Sequence, residues 1–168
     1  KIIEELKKVD GVVEAVNFNE PKQTVIAGEK DAIAKACEVL KEAGARRVLP
    51  LKVSGPFHSP MMRPAGEELA KVFAGVSMNP LKVPYVANIN AEVITDCGRI
   101  EGLLVDQVSG SVRWQQSVET MIREGVDTFV EIGPGKTLTG FLRKIDKNVK
   151  AYHIGNWEEA VQVCEELK

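Results

Sequence analysis

VVEAVNFNEPKQTVIAGEKDAIAKACEVLKEAGARRVLPLKV, residues 12–53, decides the fold class. VVEAVNFN (12–19) and QTVIAGE (23–29) read as two strands joined by a turn at Glu20-Pro21-Lys22. Residues 30–44 place Ile33, Cys37 and Leu40 on one helical face and stop at Gly44, a residue suited to a helix C-terminus. RRVLPLKV (46–53) predicts a third strand. Upstream, IIEELKKV (2–9) reads as the last turns of a helix that Asp10-Gly11 breaks. Helix, antiparallel strand pair, helix and strand make up most of a ferredoxin-like split βαβ unit. That unit opens with a strand, which would precede residue 1, so the chain is expected to begin inside a fold.

From residue 54 the pattern changes, although strands and helices still alternate as in the α/β and α+β classes. Residues 59–76 predict a helix with Pro60 near its start and Met62, Leu69, Val72 and Phe73 facing the core. KVPYVANIN (82–90) and EVITD (92–96) predict short extended pieces, and 99–108 a helix. Residues 113–125 form a helical pattern with Trp114, Val118, Met121 and Ile122 on one stripe. DTFVEIG (127–133) is a strand stopped by glycine and proline, followed by a helix at 137–145. VKAYHI (149–154) is a last strand and 157–167 a last helix, with Trp157, Val161 and Cys164 expected to face inward.

Bulk properties limit the function classes. At 168 residues the chain suits one domain, or one domain with a small subdomain, and needs no disulfide or metal to hold its core. A hydrophobic content of 44% with 27% charged residues is that of a soluble globular protein. The net charge of -2, with both signs interspersed, argues against a nucleic-acid footprint. No apolar run has the length of a membrane span. The three cysteines, Cys37, Cys97 and Cys164, are widely spaced and odd in number, which argues for a reducing compartment. Cys37 and Cys164 read as small core residues. No metal-ligand spacing is present, so no metal site and no cofactor are expected.

Chemistry concentrates in VSGPFHSPMM (53–62). His58 is one of two histidines, and it sits where a strand meets a helix, between Pro56 and Pro60. A histidine held that way suits a general base, which must lie within hydrogen-bond reach of its proton. The competing reading is a residue that only caps the following helix. No G-x-S-x-G elbow occurs, so the chain offers a base without a nucleophile. EIGPGK (131–136) has a strand, a glycine-rich turn and a helix start. It lacks P-loop spacing, and a tight structural turn is the favoured reading over a phosphate cradle.

The runs VNFNEPKQTVIAGE, AGARRVLPLKVSGPFHSPMMRPA and VRWQQSVETMIREGVDTFVEIGPGKTLTGFLRKI resemble the C-terminal part of the malonyl-CoA:acyl carrier protein transacylase family. The resemblance spans essentially the whole chain. It implies the C-terminal portion of an α/β-hydrolase-like core (54–168) behind an incomplete ferredoxin-like subdomain (1–53). It also implies ping-pong acyl transfer through a serine acyl-enzyme, with malonyl-CoA and acyl carrier protein as partners, in cytoplasmic fatty-acid synthesis. Related polyketide-synthase acyltransferase domains show the same histidine context. In the resemblance His58 is the base, and the backbone carbonyl of Gln107 orients it. Phe57 borders the acyl group and favours malonyl over methylmalonyl, and Asn17 and Asn19 match polar positions near the substrate cleft. The family's serine elbow, its carboxylate-binding arginine and its oxyanion-hole glutamine precede the residues present here. The chain alone is therefore expected to be inactive and to need a complementary N-terminal fragment. The alternatives are a non-catalytic carrier-protein docking module and a piece of a polyketide-synthase acyltransferase domain.

Overall fold

The computed structural model describes residues 1–168. The alternating stretch becomes β1 (Val13–Glu20), which pairs antiparallel with β2 (Gln23–Gly28) across the Pro21-Lys22 turn. Glu20 helps close that turn by accepting the Lys22 N–H at 2.8 Å. The register shifts between Ala15 and Asn17, as at a β-bulge. At the bulge β1 also engages a second neighbour. Val16 O accepts the Val112 N–H at 2.8 Å, and Phe18 N–H donates to Val112 O at 2.9 Å. One hairpin thus reaches Val112, in the short segment between the helices at 100–109 and 114–123.

Helix α1 (Ile2–Leu6) is shorter than predicted, and α2 (Lys30–Glu42) ends at Gly44, where φ is +94°. Together with the hairpin they enclose Leu6, Val13, Ala15, Ala32, Ala36 and Leu40. Ile33 packs at the margin of this cluster, and the small Ala32 and Ala36 occupy its centre. The third predicted strand does not form: residues 45–53 have no strand partner. Leu49, Leu51 and Val53, at alternate positions of this segment, are exposed. Backbone extended this way forms a strand only against a neighbour that takes its N–H and C=O groups.

Beyond the site turn lie α3 (Arg63–Phe73), the hairpin β3 (Tyr85–Val86) and β4 (Val93–Ile94), α4 (Ile100–Ser109) and α5 (Trp114–Arg123). The 82–90 strand shrinks to two residues, and Val72 is exposed while Gly66 of α3 is buried. A βαβ unit closes the chain: β5 (Thr128–Ile132), α6 (Thr137–Ile145) and β6 (Lys150–Ile154), with β5 and β6 parallel. Helix α7 (Trp157–Glu166) packs on β6 through Val163. Its predicted inward stripe instead faces out: Trp157 is 77% exposed, with Val161 and Cys164 also exposed. Periodicity reports that a face is apolar, not that its cover is present.

The total surface measures how incomplete that cover is. A folded monomer of this mass ordinarily exposes about 8,200 Å². This chain of 18.4 kDa exposes 11350 Å² and buries only 19 of its 168 residues. A two-stranded parallel sheet is likewise an arrangement that proteins bury under further strands and helices.

Candidate active site

Residues 56–59 form a turn in which Ser59 N–H donates to Pro56 O at 3.2 Å. His58 is its third residue, with φ at +62°. A positive φ there defines a type II turn and normally calls for glycine. A side chain held in that region costs on the order of 1–3 kcal/mol, which only a surrounding structure can maintain. The turn leads into a 3-10 segment (Pro60–Met62) and then α3, with Pro60 and Pro64 in first-turn positions that need no N–H.

What receives the imidazole is α4. Nδ1 of His58 lies 2.8 Å from the backbone O of Gln107. Gln107 belongs to the last four residues of α4, whose carbonyls lack an intrahelical donor. A carbonyl oxygen only accepts, so Nδ1 carries a proton, and in the neutral ring it is Nε2 that holds the lone pair. The arrangement therefore makes Nε2 the basic atom and fixes the ring that bears it. Close packing of α3 on α4 makes the contact possible. A Cβ on Gly66 would stand 3.2 Å from Val105 O, and one on Gly110 would fall 2.1 Å from Ile89 Cδ1. Glycine at 66 lets the two helices approach, and glycine at 110 leaves room for the Ile89 side chain beside the end of α4.

The other predicted residues distribute unevenly. Phe57 is exposed, with its ring leaning over Gly55. Asn17 pairs with Val112, five residues past Gln107, so β1 joins the segment that leaves the site helix. The Asn19 amide donates to Gln23 Oε1 at 3.0 Å across the hairpin end. No cluster of three His, Cys, Asp or Glu side chains that could hold a metal is present. No helix is long and apolar enough to cross a membrane.

The second histidine is built differently. His153 has a side chain only 9% exposed, and its Nε2 lies 2.9 Å from Gly133 O. Its Nδ1 is 3.2 Å from Glu159 Oε2 without the alignment of a hydrogen bond. Glu159 also accepts the Gly155 N–H at 2.7 Å, so the pair clamps α7 onto the end of β6. A concavity of about 270 Å³ on that side is lined by His153, Lys136 and Arg143, and contains neither His58 nor Gln107.

The EIGPGK turn resolves in favour of structure. Glu131 accepts the Leu138 N–H at 3.0 Å and the Thr139 N–H at 2.7 Å, filling the N-terminus of α6 with a carboxylate of the chain itself. Sequence reasoning missed this cap, because the acceptor lies six residues before the helix. Burial pushes the Glu131 pKa up, but hydrogen bonds from Thr139 and Leu138, helped by nearby His153, hold it below the usual value. A carboxyl lowered on folding stabilises fully above its unfolded value of about 4.3 and loses that contribution as pH falls through the folded value. Glu131→Ala is thus expected to destabilise the chain by about 1 kcal/mol at pH 7. In urea titrations the gap from wild type should narrow below pH 4.

Residues 1–163 match the family described as acyl transferase domain. The chain belongs to this family. This acyl transferase chain is 36% identical over 168 residues to a malonyl CoA-acyl carrier protein transacylase of Bacillus subtilis, covering all of this chain and 53% of the relative. The MCAT crystal structure from Streptococcus pneumoniae superposes with a TM-score of 0.93 at 42% identity, over 98% of this chain and 54% of that one. A malonyl-transacylase solved with its type II PKS acyl-carrier protein gives a TM-score of 0.94 at 37% identity, over 98% and 54%. The acyl transferase chain thus spans about half the length of the relatives it matches.

Proposed function

We propose that this chain supplies the histidine half of a serine–histidine acyl transfer site, which moves malonyl from coenzyme A to the phosphopantetheine thiol of acyl carrier protein. The observation that carries the reading is the 2.8 Å contact between His58 Nδ1 and Gln107 O, which leaves Nε2 free as a base. In the first half-reaction Nε2 takes the proton of a serine hydroxyl as that oxygen attacks the malonyl thioester. The proton then passes to the departing coenzyme A thiolate. In the second, Nε2 deprotonates the carrier thiol, which attacks the serine ester, and the proton returns to serine. A pure docking module has no use for a base held so strictly.

The serine, the carboxylate-binding arginine and the oxyanion donor belong, on this reading, to a complementary N-terminal segment. Two features support it. The chain exposes about 3,000 Å² more than a folded monomer of its mass, an amount suited to an obligate interface. Residues 46–53 also wait for a strand partner, and in a ferredoxin-like subdomain spanning 1–53 the last strand lies beside the first. Residues 54–168 then form part of an α/β-hydrolase-like core, in a cytoplasmic enzyme.

Assaying the assembled enzyme with malonyl-CoA, methylmalonyl-CoA and acetyl-CoA tests the function. Fastest transfer to holo carrier protein is expected from malonyl-CoA, and transfer of another acyl group in its place overturns the reading. Phe57→Ser is expected to move the malonyl-to-methylmalonyl ratio toward methylmalonyl by about tenfold, since one methyl is worth roughly 10–200-fold in a fitted pocket. An unchanged ratio removes Phe57 from the acyl site.

A further inference from the structure

We propose that Ser59 is a positioning residue for His58: its hydroxyl locks the turn that aims the imidazole at Gln107. The proposal rests on His58 being the base.

Ser59 stands directly before the 3-10 segment, where serine ordinarily caps a helix by accepting an N–H bond. It makes no such cap here. Its Oγ instead donates back to Pro56 O at 2.6 Å, the same carbonyl that receives the Ser59 backbone N–H. Two donors from one residue therefore converge on the carbonyl that opens the turn. Ser59 is wholly buried, so no water competes for its hydroxyl. Between the two ends of this doubly closed turn sits His58 at φ +62°. Neither a helix cap nor simple filling of space needs a hydroxyl pointed that way. A histidine kept in the left-handed region needs it, because the unrestrained backbone would relax and carry Nδ1 off Gln107 O.

A local lock has a signature separate from overall stability. With this chain ¹⁵N-histidine labelled and assembled with its unlabelled serine-bearing complement, His58→Asn assigns the two histidine spin systems. Wild type is expected to show His58 as a single Nδ1–H tautomer with a slowly exchanging Nδ1 proton. Ser59→Ala removes the hydroxyl without adding bulk, and is expected to give mixed tautomers and fast exchange while the His153 signals stay in place. Ser59→Cys retains a weak donor and should fall between. If the alanine variant does not fold, the cysteine variant decides. In the assembled enzyme Ser59→Ala should lower kcat about five- to tenfold with KM for malonyl-CoA unchanged, as loss of one aligned hydrogen bond implies.

An unchanged His58 tautomer and exchange rate in both variants overturns the lock. That result leaves the base reading intact, provided His58→Asn still abolishes transfer. Loss of the tautomer together with a fully active His58→Asn enzyme would uphold the lock and sink the base reading instead.

Discussion

Replacing His58 with alanine in the assembled enzyme is expected to lower malonyl transfer by about 10²–10⁴-fold, the range a positioned general base contributes. Both half-reactions move a proton through Nε2, so acylation and carrier loading should fall together. The loss should appear in kcat and leave KM for malonyl-CoA nearly unchanged, because the imidazole acts on the proton in flight and not on the bound thioester. Alanine inherits the φ of +62° and gains nothing from it, so a stability effect could mask the kinetic one. Asparagine and glycine separate the two. Both tolerate the left-handed region better than alanine, so they should fold at least as well while remaining inactive. Steady-state rates beside urea midpoints for the three variants check this. A loss under tenfold in a well-folded asparagine variant contradicts a catalytic role.

The 168-residue polypeptide by itself is expected to transfer no malonyl, and to gain activity only with a segment that carries the serine elbow. The sequence has no G-x-S-x-G framing around any serine, so Nε2 has no hydroxyl of this chain to activate. Exposed Ile132, Trp157 and Val161, and the unpaired segment 45–53, should also make the lone chain associate. Light scattering reads that association, and transfer of labelled malonyl to holo carrier protein reads the activity. Mixing with the serine-bearing segment should lower the scattering and raise transfer from background. Turnover by the lone chain would place a nucleophile within it and refute the division of roles.

Much of the backbone was readable because local pattern and tertiary packing agree there. The hairpin of residues 12–29, the strand at 128–132 and the helix at 137–145 each combine a clear pattern with a turn signal at its end. The failures fall where the period needs a neighbour that is not present. Residues 46–53 alternate correctly yet pair with nothing, and the Trp157, Val161 and Cys164 stripe faces solvent. At the site, His58 was readable from its two prolines. Gln107 was not, because it acts through a carbonyl that every residue owns, and only the family resemblance pointed to it. Ser59 and Glu131 escaped for a related reason. Their polar atoms bond where no local rule sends them, one backward into a turn and the other forward across eight residues.

The most direct measurement of the central claim is the location of the covalent malonyl group. The chain and its serine-bearing complement are mixed with malonyl-CoA, quenched in acid and read by intact mass, with wild-type His58 and with His58→Asn. The malonyl mass is expected on the complement only, forming far more slowly with the asparagine variant, and never on the 168-residue chain. A malonyl adduct on this chain, or acylation of the complement at full rate without His58, contradicts the role of His58 as the base of a serine it does not share a chain segment with.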